Sequence, residues 1–202
     1  MYIIIPAKPF DQSKSRLAPV LSATKRAHLS RLLLRRTVRL ARNVGQVVVI
    51  SRDPTVRRVA KEAGAWALVE AGEELNVAIR QASEWIVARD GQALLILPND
   101  LPFLRRSDLS QIADLGHRPP AIVIAPCHRT SGTNALYLRP PGLIEAAFGT
   151  NSFEHHQQAA VAVGVKPLIY HSPTIAFDVD YPEDLRQLNA RMPRFSGQRG
   201  AF

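Results

Sequence analysis

Short apolar runs alternate with amphipathic stretches through the first half of the chain. The runs are rich in aliphatic side chains, which is typical of strands buried on both faces, and they predict strands over 2–6, 46–51, 66–69 and 93–97. Apolar residues at helical spacing fill the intervals and predict helices over 22–43, 54–63 and 73–89. Strands that alternate with helices in this way indicate a parallel, doubly wound sheet.

The second half of the chain has a less regular pattern. Short apolar runs predict strands over 121–125, 134–138, 166–170 and 175–179. Ser152 is a plausible N-cap for a helix that ends near Gly164, and a final helix is predicted over 182–191. Strands so closely spaced favour antiparallel additions. We therefore predict a three-layer α/β/α fold around a mixed, mainly parallel sheet, with one domain over 1–190 and a basic tail over 191–202.

Composition narrows the class of protein. The chain has 202 residues, of which 46% are hydrophobic and 21% charged, as in ordinary globular domains. The single cysteine, Cys127, cannot form an internal disulfide, and this favours a reducing cytoplasm. No apolar run approaches the roughly 18 residues that a membrane span needs, so we expect no membrane association.

Charge is distributed unevenly along the chain. The net charge is +9, yet residues 1–60 alone carry 13 Lys and Arg against two Asp. A basic segment of this kind can attract a polyanion such as a nucleic acid, a membrane surface or a nucleoside triphosphate. Aromatic residues make up only 6% of the chain, and neither an RNP-like motif nor a zinc motif is present, which disfavours nucleic acid. A nucleic-acid-binding module is nevertheless the alternative from a different functional class.

Candidate catalytic residues follow the predicted strands. Lys8, Lys14 and Arg16 lie in a loop after the first strand, where two lysines and an arginine can hold phosphate groups. A solvated basic loop is the plain alternative. The chain lacks the glycine patterns of a Walker A loop and of a dinucleotide-binding fold, so those two phosphate-binding modes are excluded.

Acidic residues follow two other predicted strands. Asp100 follows the 93–97 strand, and Asp178 and Asp180 lie at the end of the 175–179 strand, two residues apart and therefore on one side of it. Carboxylates at such positions favour Mg²⁺, which binds one or two carboxylates together with phosphate oxygens. The alternatives are turn or capping roles, with Asp180 as a cap for the last helix. The three acids and the basic loop together predict a metal–triphosphate site.

Two polar segments are candidates for binding a second anion. Thr133 lies in a glycine-containing stretch before a strand, and Gly149 and Ser152 lie at a helix start, where free N–H groups favour anions. The alternatives are an ordinary turn and an N-cap. The pair His155-His156 is interpreted as structural or surface, because adjacent helical side chains diverge. Cys127-His128 is not interpreted as a protease dyad.

Several ordered motifs resemble one known family. The segments involved are 4–9, 14–21, 97–102, 132–136, 149–153 and 178–185. They are similar to the 2-phospho-L-lactate guanylyltransferases, also described as phosphoenolpyruvate guanylyltransferases, of coenzyme F-420 biosynthesis. The resemblance covers about residues 2–188 and extends more distantly to molybdenum-cofactor guanylyltransferase.

The resemblance implies a nucleotide-diphospho-sugar-transferase-like fold and assigns roles to the candidate residues. GTP is expected over the basic loop, Mg²⁺ at the aspartates, and a phosphorylated three-carbon acid at the second anion site. The residues implied for GTP are Lys8, Lys14 and Arg16, and those implied for catalysis are Lys14, Arg16 and Asp100. The metal would be held by Asp100 and Asp180, with Asp178 as the alternative to Asp180. The acid would be bound by Thr133, Gly149 and Ser152.

Three departures from the family pattern bear on the substrates. Asn76 matches a segment thought to touch the nucleoside, but Glu74 replaces its glycine. Tyr181 replaces a usual threonine, and Cys127-His128 stands where Asp-Arg is frequent. The acid therefore stays open among 2-phospho-L-lactate, phosphoenolpyruvate and 3-phosphoglycerate. A nucleotidyltransferase for another substrate remains an alternative, and the sequence leaves a homodimer open.

Overall fold

A seven-stranded sheet forms the centre of the computed structural model, which describes residues 1–129 and 131–192. Its strands are β1 (Tyr2–Pro6), β2 (Gln46–Ser51), β3 (Trp66–Val69), β4 (Leu94–Ile96), β5 (Ala121–Pro126), β6 (Thr133–Arg139) and β7 (Leu168–Ile169). They are ordered β3-β2-β1-β4-β6-β5-β7. Only β6 runs antiparallel to its neighbours in this sheet, so the prediction of a mixed, mainly parallel sheet is confirmed.

Helices cover both faces of the sheet. They are α1 (Ala23–Ala41), α2 (Pro54–Glu62), α3 (Leu75–Val87), α4 (Arg106–Leu115), α5 (Ser152–Ala162) and α6 (Pro182–Arg191). Side chains alternate across a strand, and in β1 this sends Ile3 and Ile5 into the core beneath α1, α2 and α4, while Ile4 enters the core beneath α3 and α5. The two cores give the predicted three-layer α/β/α arrangement. A third apolar cluster joins α6 to α1.

Strand direction gathers the functional segments at one edge of the sheet. The parallel strands β1 to β4 all end at this edge. Strand β6 starts there, because it pairs antiparallel with β4 and with β5, where Thr133 faces Pro126. The basic loop after β1, the acidic segment after β4 and the start of β6 are therefore neighbours in space.

The predicted strand over 175–179 is wrong. Those residues form a turn followed by an extended segment that pairs with no strand. Two of their carbonyl groups are satisfied by other partners: Asn134 Nδ2 donates to Ile175 O and Ala176 O at 3.0 and 2.9 Å, and His128 N donates to Ala176 O at 2.8 Å. Because Asp178 and Asp180 do not lie on a strand, the argument that placed them on one strand face does not hold.

Two further differences concern helices. Helix α4 was not predicted; Asp108 in its first turn accepts a hydrogen bond from Arg105 N at 2.8 Å and stabilises its start. Ser152 is the first helical residue of α5, and the N-cap is Asn151, which adopts a left-handed conformation. The predicted basic tail lies, beyond Met192, outside the described residues. No helix in the described ranges is long and apolar enough to cross a membrane.

Candidate active site

A cleft of about 500 Å³ opens at the carboxyl edge of the parallel strands. It is bounded by the loop after β1, the segment after β4, the start of α3 and the 148–149 segment before α5. Six of the predicted site residues line it together: Lys8, Lys14, Arg16, Asp100, Gly149 and Asp180. Asn76, Thr133, Ser152 and Asp178 are not among the residues that line the cleft.

Lys14 connects two of the predicted acidic residues. Its Nζ lies 2.9 Å from Asp100 Oδ2 and 3.2 Å from Asp180 Oδ1, and its side chain is only 8% exposed. Burial lowers the pKa of Lys14, but the two carboxylates outweigh burial and raise that pKa above its ordinary value. Its backbone is left-handed, with φ of 56°, a conformation that costs energy for a residue with a Cβ atom. The loop therefore holds a charged ammonium group at the base of the cleft.

Arg16 lies nearer to the solvent. Its guanidinium forms an ion pair with Asp180 at 3.1 Å and is 59% exposed. The same guanidinium stands 5.0 Å from the centre of the Tyr181 ring, and the Arg129 guanidinium stands 4.9 Å from that ring. Tyr181, the residue that departs from the family's threonine, thus contacts two arginines at the mouth of the site.

Asp178 belongs to a separate, more buried set of contacts. Its carboxylate lies 3.2 Å from Arg129 Nη1 and 3.4 Å from Asn134 Nδ2. Burial raises the pKa of Asp178 above its ordinary value, and the nearby charges of Asp100 and Asp180 raise it further, against the opposing effect of Arg129. The three aspartates are therefore close enough to repel one another, although they have different partners.

Asp184 holds the segment that carries these aspartates. Its buried carboxylate accepts hydrogen bonds from Asp180 N at 2.9 Å and Tyr181 N at 2.8 Å, and it pairs with Arg129 Nη2 at 2.6 Å. Burial alone would raise the pKa of Asp184, but Arg129 and the two amides lower it below its ordinary value. Asp184 therefore caps α6, the alternative role considered for Asp180, and the Asp180 carboxylate faces Lys14 and Arg16 instead.

The donor set suits a hard divalent cation. The described residues contain no ready-made group of three His, Cys, Asp or Glu side chains that could hold a metal ion. However, Asp100 and Asp180 both direct a carboxylate oxygen to one cationic nitrogen, that of Lys14. Two converging carboxylate oxygens are the protein ligands that Mg²⁺ commonly takes beside phosphate oxygens.

Asn76, on α3, is hydrogen-bonded to the 148–149 segment that bounds the cleft. Its side-chain amide accepts from Phe148 N at 2.8 Å and donates to Phe148 O at 3.0 Å. The amide therefore holds the backbone of the 148–149 segment against the start of α3. Gly149 follows with φ of 139°, a conformation that L side chains rarely adopt. In this structure Asn76 shapes the cleft wall, and its direct contact with a nucleoside stays a prediction.

Thr133 and Ser152 contact each other behind the wall. Thr133 N donates to Ser152 Oγ at 2.9 Å, and Thr133 Oγ1 lies 3.0 Å from Nδ1 of His156. Both residues are buried. The structure thus brings together the two segments that the sequence proposed for a second anion, but it surrounds their hydroxyl groups with protein.

Sequence reasoning missed three residues that organise the site. The sequence pattern singles out neither Arg129 nor Asp184, and it favours a structural or surface role for His156. A capping signal was present for Asp184, since an acidic residue three positions after Tyr181 in front of an apolar helix indicates a reciprocal cap. No local pattern indicates the partners of Arg129 or His156, because those contacts join segments far apart in the chain.

Solved structures share this fold. A Desulfovibrio desulfuricans protein assigned to the nucleotide-diphospho-sugar transferases aligns with a TM-score of 0.76 at 17% identity, over 99% of this chain and 90% of that one. A 4-diphosphocytidyl-2C-methyl-D-erythritol synthase from Anaerococcus prevotii aligns with a TM-score of 0.66 at 10% identity, over 96% of each chain. The fold and the charged cleft define a protein of the nucleotide-diphospho-sugar-transferase-like class.

Sequence comparison places the chain within that class. Residues 1–191 match the family described as "Guanylyl transferase CofC like", and the chain belongs to this family. It is 40% identical to the phosphoenolpyruvate guanylyltransferase of Rubrobacter xylanophilus, with 94% of each chain covered. It is also 36% identical to the 2-phospho-L-lactate guanylyltransferase of Methanothermobacter thermautotrophicus, over 92% of this chain and 82% of that one.

Proposed function

We propose that this protein transfers GMP from GTP to a phosphorylated three-carbon acid, with phosphoenolpyruvate as the first candidate, and releases pyrophosphate. The main support is the composition of one cleft, which is lined by the cations and carboxylates that such a transfer needs. The chain that forms this cleft is a member of the guanylyl transferase family. The identity to a phosphoenolpyruvate guanylyltransferase supports the choice of acid. The product would serve coenzyme F-420 biosynthesis, as the family resemblance implies, and we expect the reaction to take place in the cytoplasm.

The reaction forms one phosphorus–oxygen bond and breaks another. An oxygen of the acid's phosphate attacks the α-phosphorus of GTP in line, and the bond from that phosphorus to the bridging oxygen of pyrophosphate breaks. An ionised phosphate oxygen is already nucleophilic, so the step needs neither a general base nor a covalent enzyme intermediate. The protein has to position two anions and neutralise their charge.

The basic loop supplies the neutralisation on the GTP side. Lys14 is held charged at the base of the cleft, and Arg16 stands at its mouth. Both cations would balance the negative charge that develops on the leaving pyrophosphate. Lys8 is exposed on the same cleft wall and would contact the outer phosphates.

Asp100 and Asp180 would hold Mg²⁺, with Asp178 beside them. The bound ion would supply further charge neutralisation between the two anionic substrates. Asp184 contributes indirectly, because its hydrogen bonds to Asp180 N and Tyr181 N fix the backbone that presents the Asp180 carboxylate.

The phosphorylated acid would bind at the opposite end of the cleft. Gly149 lines the cleft, and its missing side chain lets a substrate approach the backbone at the start of α5. Backbone N–H groups at a helix start favour an anion. Thr133 and Ser152 are buried and contact each other outside the cleft lining, and they would support this segment from behind.

The test is a matrix of substrates. Each of four nucleoside triphosphates is combined with phosphoenolpyruvate, 2-phospho-L-lactate and 3-phosphoglycerate, and pyrophosphate release is measured with and without Mg²⁺. We expect turnover with GTP, highest with phosphoenolpyruvate, and none without the metal. Mass spectrometry of the product should show GMP joined to the acid's phosphate. Turnover that needs a sugar phosphate or a pterin in place of the acid would contradict the proposal.

A further inference from the structure

A buried histidine joins the two segments at the phosphorylated-acid end of the cleft. His156 lies on α5, one turn after Ser152, and has no exposed surface. Its Nδ1 lies 3.0 Å from Thr133 Oγ1, and its Nε2 lies 3.0 Å from Ala147 N. One ring therefore connects the start of β6 to the segment that leads into Gly149.

The two contacts determine the tautomer of the ring. The Ala147 N–H group can only donate, so Nε2 has to be the acceptor. A neutral ring then carries its proton on Nδ1 and donates it to Thr133 Oγ1. Burial, with a smaller contribution from the exposed His155, lowers the pKa of His156 to about 4, which keeps the ring neutral near pH 7.

The direction of these bonds determines what the two hydroxyl groups can do. Thr133 Oγ1 accepts from His156, and Ser152 Oγ accepts from Thr133 N. Within the described ranges, neither hydroxyl proton is directed to a protein acceptor. Each hydroxyl group therefore keeps a donor proton, and both groups lie buried outside the cleft lining.

We propose that His156 is a positioning residue for the phosphorylated acid: it orients the Thr133 hydroxyl and anchors Ala147, and it thereby fixes the 147–149 segment at the acid end of the cleft. This inference rests on the proposed function. His156 itself is not placed in contact with substrate, and no proton transfer is assigned to it.

The anchoring of the segment is shared with Asn76. His156 holds Ala147 N, and Asn76 holds Phe148 N and Phe148 O. The rings of Phe148 and His156 also pack edge to face, with centroids 5.1 Å apart. Three backbone polar groups of Ala147 and Phe148, immediately before Gly149, are thus fixed by side chains of two different helices. This arrangement suits a segment whose position decides whether a small anion binds.

Two conservative variants separate the two bonds of the ring. In His156→Gln, the new side chain can accept from Ala147 N through its oxygen but cannot also donate to Thr133 Oγ1. Asn in His156→Asn can donate to Thr133 but is too short to reach Ala147. We expect each variant to raise the KM for phosphoenolpyruvate about tenfold while the KM for GTP changes less than twofold. His155→Gln, at the exposed neighbour, is the control and should match the wild type.

A double-mutant cycle tests whether His156 acts through the Thr133 hydroxyl. Thr133→Val removes the hydroxyl that His156 orients, so the combination with His156→Gln should cost little more than Thr133→Val alone. Thermal unfolding of each variant is recorded, and calorimetric binding of phosphoenolpyruvate replaces kinetics for any variant that folds without turning over. Additive losses in the cycle would overturn the orienting role.

The outcomes separate this inference from the proposed function. The inference alone is overturned if the wild type is active and both His156 variants keep a normal KM for phosphoenolpyruvate. It is also overturned if the KM for GTP rises as much as the KM for phosphoenolpyruvate in these variants. A wild type that neither turns over nor binds any of the three acids overturns the proposed function and the inference with it. A selective rise in the KM for the acid supports both.

Discussion

The ammonium group of Lys14 lies 2.9 Å from the carboxylate of Asp100, although the two residues are 86 positions apart in the chain. Lys14 follows β1 and Asp100 follows β4, and these two strands are paired neighbours in the sheet. A lysine and an aspartate that close the same edge of a sheet form the charged base of the cleft. The arrangement supports a role for both residues in handling phosphate and metal charge together.

Removal of the Lys14 charge should impair GTP use. The substitution Lys14→Met keeps much of the side-chain length but leaves Asp100 and Asp180 without the ammonium group that they share. We expect a rise in the KM for GTP and a loss of about 10²–10³ in kcat, with the KM for phosphoenolpyruvate nearly unchanged. Arg16→Ala should act in the same direction but less strongly, because Arg16 is 59% exposed and its ion pair is screened by water.

Steady-state kinetics with each substrate varied in turn measures these effects. Lys25→Met, which removes the same charge from the exposed start of α1, is the matched control. Equal losses for GTP and for the acid would mean that the basic loop serves the other substrate.

Asp100→Asn should abolish most turnover and preserve the fold. The substitution keeps the shape of the side chain and removes a proposed metal ligand, and Lys14 retains Asp180 as a partner. We expect a loss of about 10²–10³ in kcat, together with a higher Mg²⁺ concentration for half-maximal activity. Asp90→Asn, at an exposed left-handed position that asparagine tolerates, is the control. Full activity of Asp100→Asn, or of the wild type in excess chelator, would remove the metal assignment.

Asn76→Asp should loosen one wall of the cleft. The new carboxylate can still accept from Phe148 N, but it repels Phe148 O, which loses its donor. We expect a stability loss of about 1–3 kcal/mol and a higher KM for the phosphorylated acid. Gln81→Glu is a matched control, because Gln81 holds Ala71 N and Val69 O with the same pair of bonds on the same helix. A selective rise in the KM for GTP would instead support the nucleoside contact that the family resemblance implies.

Asp184→Ala should destabilise the protein strongly. It removes a buried carboxylate that pairs with Arg129 and accepts two backbone N–H groups. Breaking a buried ion pair by removal of one partner costs about 3–5 kcal/mol, which urea unfolding can measure. Glu183→Ala is the control: its neighbouring carboxylate is exposed and forms a surface pair with Arg186, so a change within about 0.5 kcal/mol is expected. Similar losses in the two variants would contradict the structural role of Asp184.

His156 should make stability depend on pH below neutrality. Its pKa is about 4 in the folded protein, against an ordinary value of 6.5. The unfolded chain therefore binds a proton first as the pH falls, so this contribution is intact above pH 6.5 and is lost progressively toward pH 4. The expected loss is about 2 kcal/mol at pH 5 and about 3 kcal/mol at pH 4. Urea unfolding of the wild type and of His156→Gln at pH 7 and pH 5 measures it, and an identical pH dependence in the two proteins would contradict it.

Much of the fold could be predicted from local pattern. Runs such as 46–51 have to be strands buried on both faces, because so many consecutive aliphatic side chains leave no polar face for water. The helices after them are marked by spacing and by caps such as Asp53, whose side chain accepts from Thr55 N at 2.7 Å. The carboxyl edge of a parallel sheet then brings Lys8, Lys14 and Asp100 into one region. The strands, helices and caps depend on interactions between residues that are close in the chain, which the sequence displays directly. The shared edge follows from the parallel sheet that alternating strands and helices imply.

The tertiary structure decided which polar groups pair with which. Asp184 rather than Asp180 caps α6, Asn76 holds Phe148, and His156 joins Thr133 to Ala147. The predicted strand over 175–179 is wrong for the same reason: the carbonyl groups of Ile175 and Ala176 are satisfied by the Asn134 side chain and by His128 N rather than by a neighbouring strand. A buried polar group has to find a partner wherever the packed layers bring one within hydrogen-bonding distance. The apolar pattern thus determines the layers, and only their packing determines the partners.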